Sequence, residues 1–238
     1  MNMGLQAGDP DKPDNLPRVE YMQFWGGYLN FHPKQFSLEA SYYRQSGKHV
    51  NDEMRARRVM AWMASVKAGY KPSDKWGLEL GYDHLSGDDF VPVPYGGQLG
   101  MIRHDVDKGF SPLYGSRTQF YGILDYFYES AYINGFTPGL QNAFVGVNGR
   151  PFAKFDCSAT YHYLAVTTEL TNLNRTLGHS VDVTARYRFT KDISLTAGYT
   201  MMFGTETMDR LKQGNSSKTA RWGWFSLVIS PTLFTTKW

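Results

Sequence analysis

Apolar and polar residues alternate with a period of two along most of this sequence. In Phe36–Tyr42, Leu78–Asp83, Val181–Phe189 and Ile193–Met201 every second residue is apolar or aromatic, and most of the residues between them are polar. Side chains of a β-strand point alternately to its two faces, so each segment predicts a strand with one apolar and one polar face. Less regular strands are predicted at residues 19–31, 60–70, 140–147, 155–166 and 222–233.

Aromatic residues are abundant for so polar a chain. They make up 16% of the 238 residues, while hydrophobic residues make up only 42% and the mean hydropathy is −0.44. A transmembrane β-barrel produces this imbalance, because only the lipid-facing half of each strand is apolar while Tyr, Trp and Phe girdle both membrane interfaces. No run approaches the roughly 18 apolar residues that a membrane-spanning helix needs. We therefore predict an all-β, antiparallel transmembrane barrel in the outer membrane, with Tyr42, Tyr82, Tyr187, Tyr199, Trp222 and Trp224 in its interface girdles.

Short and long connections alternate between the predicted strands. Bacterial barrels have short periplasmic turns and long external loops, so this alternation assigns a side of the membrane to every strand end. The rule fails twice if residues 111–130 cross the membrane, and we therefore predict that residues 86–130 form a long external or pore-inserted segment. The short connections are residues 32–35, 71–75, 149–154 and 190–192, and the long ones are roughly 44–57, 86–117, 167–178 and 204–220.

Nine crossings then remain, and the first runs toward the periplasm. A complete single-chain bacterial barrel has an even strand count and both termini in the periplasm. We therefore expect upstream strands to be missing, residues 1–17 to be a loop or disordered remnant, and residues 18–238 to be the barrel domain. If residues 119–128 do cross, ten strands could close alone. Residues 1–5 lack the features of a secretory signal, so we expect that signal to have been cleaved or to lie upstream.

Several stretches of the chain resemble the alginate-export family of outer-membrane barrels. The longest comprises Gly109–Gly115, Phe120–Tyr128 and Gly139–Gln141, and the strand-turn-strand units Tyr70–Lys75 and Leu80–Asp88 are also similar. The resemblance extends over residues 18–238 and implies the later part of a channel of about 18 strands, through which a polysaccharide or smaller solutes pass. The basic pore lining of the alginate-exporting members does not match position by position, so alginate specificity does not carry over.

Charged residues opposite the apolar face are the candidate functional set. In a barrel they project into the lumen, where rings of charge tune selectivity for solutes. For any single residue the simpler interpretation is a charge that pairs with a neighbouring strand and stabilises the wall. Both signs are present, so the set predicts no preferred solute charge. The predicted pore-lining residues are Glu39, Lys67, Glu79, Asp83, Asp182, Arg186 and Arg188, joined by Arg117 and Asp125 if the central segment enters the pore.

The remaining polar clusters are an arginine group, acidic loop residues and scattered histidines, and none of them predicts a metal site or a cofactor. The arginine group lies at the end of an external loop, where it would recruit an anionic polymer or, in the simpler interpretation, contact anionic lipopolysaccharide. Acidic residues of the longest loop lack a recognised calcium-binding spacing, and the six histidines lack zinc-ligand spacing. Cys157 is predicted to be a small packing residue. The arginines are Arg55, Arg57 and Arg58, and the acidic residues are Asp88, Asp89, Asp105 and Asp107.

Two other protein classes remain open at this stage. An outer-membrane hydrolase would need a Ser or an acid beside a His, and Ser158 and His162 share one strand face, but residues four apart in a strand lie about 13 Å apart. A soluble β-sandwich would bury its apolar faces against each other. The net charge of +3 without a basic stripe argues against nucleic acid. We predict a passive channel, not an enzyme, in contact with membrane lipid and lipopolysaccharide.

Overall fold

The computed structural model describes residues 1–9, 16–50, 56–88, 92–93, 100–101, 106–112, 124, 137–170, 172–212 and 214–231. Within these ranges the chain forms strands almost throughout, together with one helix of seven residues. The elements in chain order are β1 (Asn2–Ala7), β2 (Arg18–Phe31), β3 (Phe36–Val50), β4 (Ala56–Ser73), β5 (Trp76–Leu85), β6 (Pro92–Val93), β7 (Gly100–Met101), β8 (Val106–Asp107), β9 (Leu140–Phe152), β10 (Phe155–Ala165), β11 (Thr176–Arg188), β12 (Ile193–Gly204), α1 (Glu206–Lys212) and β13 (Ala220–Ile229).

One antiparallel sheet contains all the long strands. Its order is β1-β2-β3-β4-β5-β9-β10-β11-β12-β13, so strands that follow one another along the sheet also follow one another along the chain. β8 pairs in parallel with β4 at Arg58 and Val59, beyond the end of β5, and β6 pairs with β7 in a separate ribbon. The predicted all-β antiparallel fold class is therefore confirmed. Among the described residues, no pairing joins β1 to β13.

Nine long strands coincide with the nine predicted crossings. They range from 10 residues in β5 and β13 to 18 residues in β4, which meets the roughly 9 to 11 residues needed for a tilted crossing of a bilayer. Short turns connect β2 to β3, β4 to β5, β9 to β10 and β11 to β12 at one end of the sheet. We call this the turn end, and the opposite one the loop end. The possible crossing at residues 119–128 lies outside the described residues.

Residues 2–7 form β1, so the prediction that residues 1–17 are a loop or disordered remnant is wrong over this stretch. They pair in register with residues 18–23 of β2. Met3 and Leu5 are half-buried against the apolar core, and Ala7 is fully buried. Three alternating apolar positions are too few to stand out in a sequence, and only the neighbouring strand makes this segment a strand.

The sheet has an apolar outer face and a polar inner face. Leu80 is 63% exposed and Phe225 is 82% exposed, whereas Asp182 on the other face is only 6% exposed. A water-soluble protein distributes such residues in the opposite way. No second sheet covers the outer face in the described part of the chain, so a soluble β-sandwich does not fit. Exposed members of the outer face include Trp25, Leu38, Val66, Leu80, Val145, Val183, Phe225, Leu227 and Ile229.

The tyrosines and tryptophans predicted for the interface girdles divide between the two faces. Tyr42, Tyr82, Tyr187 and Tyr199 lie exposed on the outer face. Trp222 and Trp224 pair with Thr200 and Gly198 of β12 and therefore lie on the inner face, so their girdle assignment is wrong. Cross-strand partners share a face, so the register with β12 places both tryptophans on the face that carries Thr200. The Trp224 indole covers Gly198, where an added Cβ would lie 2.5 Å from its Nε1.

The apolar core fills the loop end of the inner face. Strands contribute Met22, Leu85, Leu164 and Met202, and the long loop adds Phe110, which is 1% exposed. Helix α1 completes the core with Met208 and Leu211. The inner face is thus apolar near the loop end and polar from there to the turn end. In the portion of the chain that the structure describes, no helix is long and apolar enough to span a membrane.

Candidate functional site

Seven of the nine predicted pore-lining residues lie on the inner face. Strand alternation and register place Glu39 on β3, Lys67 on β4, Glu79 and Asp83 on β5, and the remaining three on β11. Arg117 and Asp125 lie outside the described residues. The seven fall into three groups with different bonding, and their role in lining a pore stays a prediction. The three residues on β11 are Asp182, Arg186 and Arg188.

A chain of polar side chains, which we call the polar belt, crosses six neighbouring strands. Ser65 Oγ donates to Asp83 Oδ1 over 2.6 Å, and Asn142 Nδ2 donates to Asp83 Oδ2 over 2.8 Å. Asn142 Oδ1 lies 2.9 Å from His162 Nδ1, and His162 Nε2 lies 3.6 Å from Asp182 Oδ2. Thr200 Oγ1 closes the belt by donating to Asp182 Oδ1.

The polar belt uses its bonding capacity internally. An ionised Asp83 only accepts hydrogen bonds, so the Asn142 amide must turn its NH₂ toward Asp83 and its oxygen toward His162. Nδ1 of His162 is then the donor in that bond. Asn142, His162, Asp182 and Thr200 are all buried. These bonds link the six strands to one another, and a solute that bound these groups would have to break them.

The second group is a charged row nearer the turn end. Tyr28 donates to Glu39 Oε2 over 3.1 Å, Glu39 pairs in register with Lys67, and Lys67 Nζ lies 3.2 Å from Glu79 Oε2. Gly146 makes room for the Glu79 carboxylate, because an added Cβ there would lie 2.8 Å from Oε1. These half-exposed pairs match the simpler interpretation of charges that link neighbouring strands, each worth about 1 kcal/mol or less.

The third group surrounds a cavity of about 520 Å³ at the turn end of the inner face, which we call the turn-end cavity. Arg150 Nε lies 2.7 Å from Asp156 Oδ1, and Arg188 pairs with Oδ2 of the same carboxylate. Arg186 donates to the hydroxyl of Thr196 over 3.1 Å, which is its one hydrogen bond within the described part of the chain. The cavity is strongly cationic, since five cations and two acids line it. The cations are Lys71, Lys75, Arg150, Arg186 and Arg188, and the acids are Asp74 and Asp156.

Three of the five cavity cations are absent from the predicted pore-lining set. Lys71, Lys75 and Arg150 were interpreted as turn residues, because turns are usually polar. A usable signal was present for Arg150, since Asn142, Asn148 and Arg150 alternate along β9 and share one face. The polar belt members Asn142 and His162 were missed for another reason. Their partners lie on other strands, and only the register of the sheet brings them together.

The candidate hydrolase pair does not assemble. Ser158 Oγ lies 2.6 Å from Thr184 Oγ1, and the described partners of His162 are Asn142 and Asp182. The described residues contain no group of three or more His, Cys, Asp or Glu side chains that could hold a metal. Cys157 is half-buried and free of a disulfide.

Acidic residues of the longest loop attach that loop to the sheet. Asp88 Oδ1 accepts the backbone N–H groups of Lys108 and Gly109 over 2.7 and 2.8 Å, and Asp107 lies 3.6 Å from Arg57. Burial raises the pKa of the Asp88 carboxyl, against the lowering effect of these two N–H donors. Two of the acids considered for calcium therefore have structural partners. Asp89, Asp105 and Arg55 lie outside the described residues.

The segment that follows β8 turns over the loop end of the inner face. Gln45 Nε2 donates to the Ser111 carbonyl over 2.6 Å, and the Ser111 N–H returns a bond to Gln45 Oε1 over 3.2 Å. The Phe110 ring lies 6.1 Å from the inner-face ring of Phe24. Residues 106–112 thus narrow the access to the inner face from the loop end. Most of the predicted segment 86–130 lies outside the described residues.

Comparison with known proteins gives structural similarity only. No protein-family model and no curated protein match the chain. The NanC porin structure is 8% identical, with a TM-score of 0.47 over 97% of this chain and 92% of that one. The Pseudomonas putida toluene transporter TodX is 11% identical, with a TM-score of 0.37 over 78% of this chain and 44% of that one. The CymD monoaromatic hydrocarbon channel is 9% identical, with a TM-score of 0.37 over 85% of this chain and 58% of that one.

Proposed function

We propose that this protein is an outer-membrane channel for the passive passage of hydrophilic solutes. The observation that carries the proposal is the inverted polarity of the sheet, which exposes Leu80 and Phe225 and buries Asp182. Hydrocarbon is the environment in which such an outer face is stable. A charge that faced lipid near the midplane would cost roughly 2 to 4 kcal/mol. The strand lengths fit the same environment. The connections at the turn end are short, and those at the loop end are longer between β5 and β9, between β10 and β11 and between β12 and β13, whereas β3 and β4 are joined by residues 51–55 alone.

The proposed orientation follows from the connections. Short turns lie in the periplasm and long loops lie outside the cell, as in bacterial barrels generally. The turn-end cavity then opens toward the periplasm, and the segment 106–112 partly covers the external entrance. The outer face contacts membrane lipid, with lipopolysaccharide in the external leaflet. We propose no catalytic activity, because His162 and Ser158, the pair that suggested one, have other partners.

Saccharides are the solute class that we propose. The turn-end cavity offers cations and hydroxyls, which suit the hydroxyl groups and acidic groups of a sugar chain. The resemblance of residues 109–115 and 120–128 to the alginate-export family points to a polysaccharide or its fragments. With five cations against two acids, the cavity favours anionic solutes over cationic ones.

Planar-bilayer recording tests the proposal. The full-length protein should conduct ions, and the reversal potential in a salt gradient should indicate anion preference. The double variant Arg150→Gln/Arg186→Gln should shift that potential toward cation preference and leave insertion unchanged. A matched control, Arg210→Gln/Lys218→Gln, removes two cations from the external side, away from the cavity, and should change the potential less. Anionic oligosaccharides added to the periplasmic side should reduce the current of the unaltered protein.

Two results would contradict the proposal. Absence of any ion current from correctly inserted protein would rule out a pore. Equal reversal potentials for the unaltered protein and the Arg150→Gln/Arg186→Gln variant would show that the turn-end cavity does not lie on the path of the ions.

A further inference from the structure

A second cavity, of about 490 Å³, lies on the outer face of the sheet at its loop end. Its floor is formed by Met60 and Trp62 of β4 and His84 of β5, and the Trp62 and His84 rings stack with centroids 4.6 Å apart. The external loops form its roof. We call this cavity the rim cleft, and it lies on the opposite side of the sheet from the turn-end cavity and the polar belt.

Hydrogen bonds hold the roof of the rim cleft in place. Thr167 Oγ1 donates to the Leu85 carbonyl over 2.6 Å, and Thr168 Oγ1 donates to the Asp88 carbonyl over 2.7 Å. The backbone N–H groups of both threonines also donate to the Pro138 carbonyl, each over 3.1 Å. The connection between β10 and β11 is thereby attached to the end of β5, so the roof and the floor form one preorganised surface.

The floor of the rim cleft continues into the apolar outer face. Trp62 is 37% exposed and Met60 is 39% exposed, and farther down the same face Val66 and Leu80 are 44% and 63% exposed. An apolar chain could therefore lie along β4 and β5 without a break. A small water-soluble anion would gain nothing from this floor, whereas an acyl chain would gain free energy of binding with each methylene that it buries.

Cations surround the upper part of the rim cleft. Lys108 and Arg175 line it directly. Arg44 is the register partner of Trp62, and Arg58 lies on the same face of β4 as Met60, two residues away. Glu169 is the one acidic residue among the described lining residues, and it is paired with Arg175 over 2.6 Å. The cleft thus combines an excess of positive charge at the loop end with an apolar floor toward the membrane.

We infer that the rim cleft binds a phosphorylated lipid of the outer leaflet, with its phosphate among the cations and an acyl chain along the floor. The inference rests on the membrane placement given under the proposed function, because the outer face must meet lipid for such a ligand to reach it. Lipid A, the phosphorylated anchor of lipopolysaccharide, has this chemistry. Arg44, Arg58 and Lys108 contact the headgroup, and Met60 and Trp62 contact the acyl chain.

Native mass spectrometry of the full chain in detergent micelles tests the inference, with diphosphoryl lipid A as the probe. Lipid A should form a one-to-one complex, and the Arg44→Gln/Arg58→Gln variant should bind it about tenfold more weakly because two charge-assisted contacts are lost. The control Arg210→Gln/Lys218→Gln removes two external cations from another place and should bind normally. Met60→Gln should also weaken binding, and together with Lys108→Gln it serves as the test if the double variant does not fold.

Three results would overturn the inference. The first is equal affinity for lipid A and for the same lipid without its phosphates. The second is complete displacement of lipid A by inorganic phosphate, which would indicate a small-anion site without an acyl-chain contribution. The third is unchanged binding by every cleft variant. Conductance is measured separately on the same preparations, and the cleft variants should keep it, so a channel that conducts but binds no lipid A refutes only the lipid site. Lipid A binding without any current would refute only the channel.

Discussion

The outer and inner faces of the sheet place opposite chemistry in opposite environments. On the outer face, Leu80 and Phe225 expose most of their apolar surface. On the inner face, the polar side chains of Asp182 and Asn142 are buried, and each has a hydrogen-bond partner on a neighbouring strand. Burial in this chain therefore does not follow hydrophobicity. Polar groups are buried because the adjoining strands satisfy their hydrogen bonds, and the exposed apolar groups would face lipid in the proposed membrane placement.

Two regions of the inner face, the polar belt and the turn-end cavity, also differ in burial and in hydrogen bonding. Four of the six side chains of the polar belt are buried, and the belt groups bond to one another. The cations of the turn-end cavity are more exposed, and among the described residues the hydrogen-bond partner of Arg186 is a hydroxyl. Buried groups with complete bonding stabilise a wall, and accessible charges with incomplete bonding can interact with a solute. Substitutions in the belt should therefore change stability, and substitutions in the cavity should change selectivity.

Asp182→Ala should have the largest effect on stability. The substitution leaves the buried Thr200 hydroxyl without its acceptor and removes the side chain that packs beside His162, and the loss costs about 3 kcal/mol. Urea unfolding in detergent micelles, followed by tryptophan fluorescence, measures the loss. Asp182→Asn retains an acceptor and should cost about 1 kcal/mol. Wild-type stability of the alanine variant would refute the structural role of the polar belt.

Leu80→Arg should have the next largest effect and tests the outer face. Leu80 lies near the middle of β5, where a lipid-facing arginine costs roughly 2 to 4 kcal/mol. At an exposed site of a water-soluble protein the same substitution would change the free energy of unfolding by about 0.5 kcal/mol or less. Refolding into bilayers in urea distinguishes the two values. Ser41→Arg, on the inner face of β3, is the matched control and should cost less than Leu80→Arg.

Much of the fold could be predicted because alternation is a local signal. Every long strand is visible in the sequence, and Leu38 against Glu39 or Leu80 against Glu79 already distinguishes the two faces. The connections 32–35 and 190–192 mark the turn end for the same reason, since turn chemistry is also local. The N-terminal strand β1 escaped prediction because Met3, Leu5 and Ala7 are few, and their pairing with β2 is a tertiary effect.

The candidate sites depend on register, which the sequence does not display. Predicting that Asn142 meets both Asp83 and His162 requires β5, β9 and β10 to be aligned residue by residue, across a loop of more than fifty residues between β5 and β9. A shift of one residue would turn every side chain to the other face. The same dependence explains the wrong girdle assignment of Trp222 and Trp224. It also explains why the rim cleft, assembled from four separate segments, has no signature in the sequence.

Lys212 offers the smallest and most local test, at the apolar end of the inner face. It ends α1 one residue after Leu211, which belongs to the core, and desolvation lowers its pKa from 10.5 to about 8. In the unfolded chain the amine keeps the higher value, so between about pH 8 and 10.5 the unfolded state binds more protons than the folded state. Stability should therefore rise with pH across that window, and below it the charged amine should oppose the docking of α1.

Lys212→Met removes this dependence. The variant should be more stable than the unaltered protein at neutral pH, and the difference should shrink as the pH rises toward 10.5, the ordinary pKa of lysine. Hydrogen exchange of the α1 amides at several pH values, corrected for the intrinsic rate, measures the docking of the helix directly. Lys218→Met, an exposed residue of the same connection, should leave the pH dependence as it is. If Lys212→Met behaves like Lys218→Met, the loop end of the inner face is hydrated like the turn end, and the contrast between an apolar and a polar end of that face disappears.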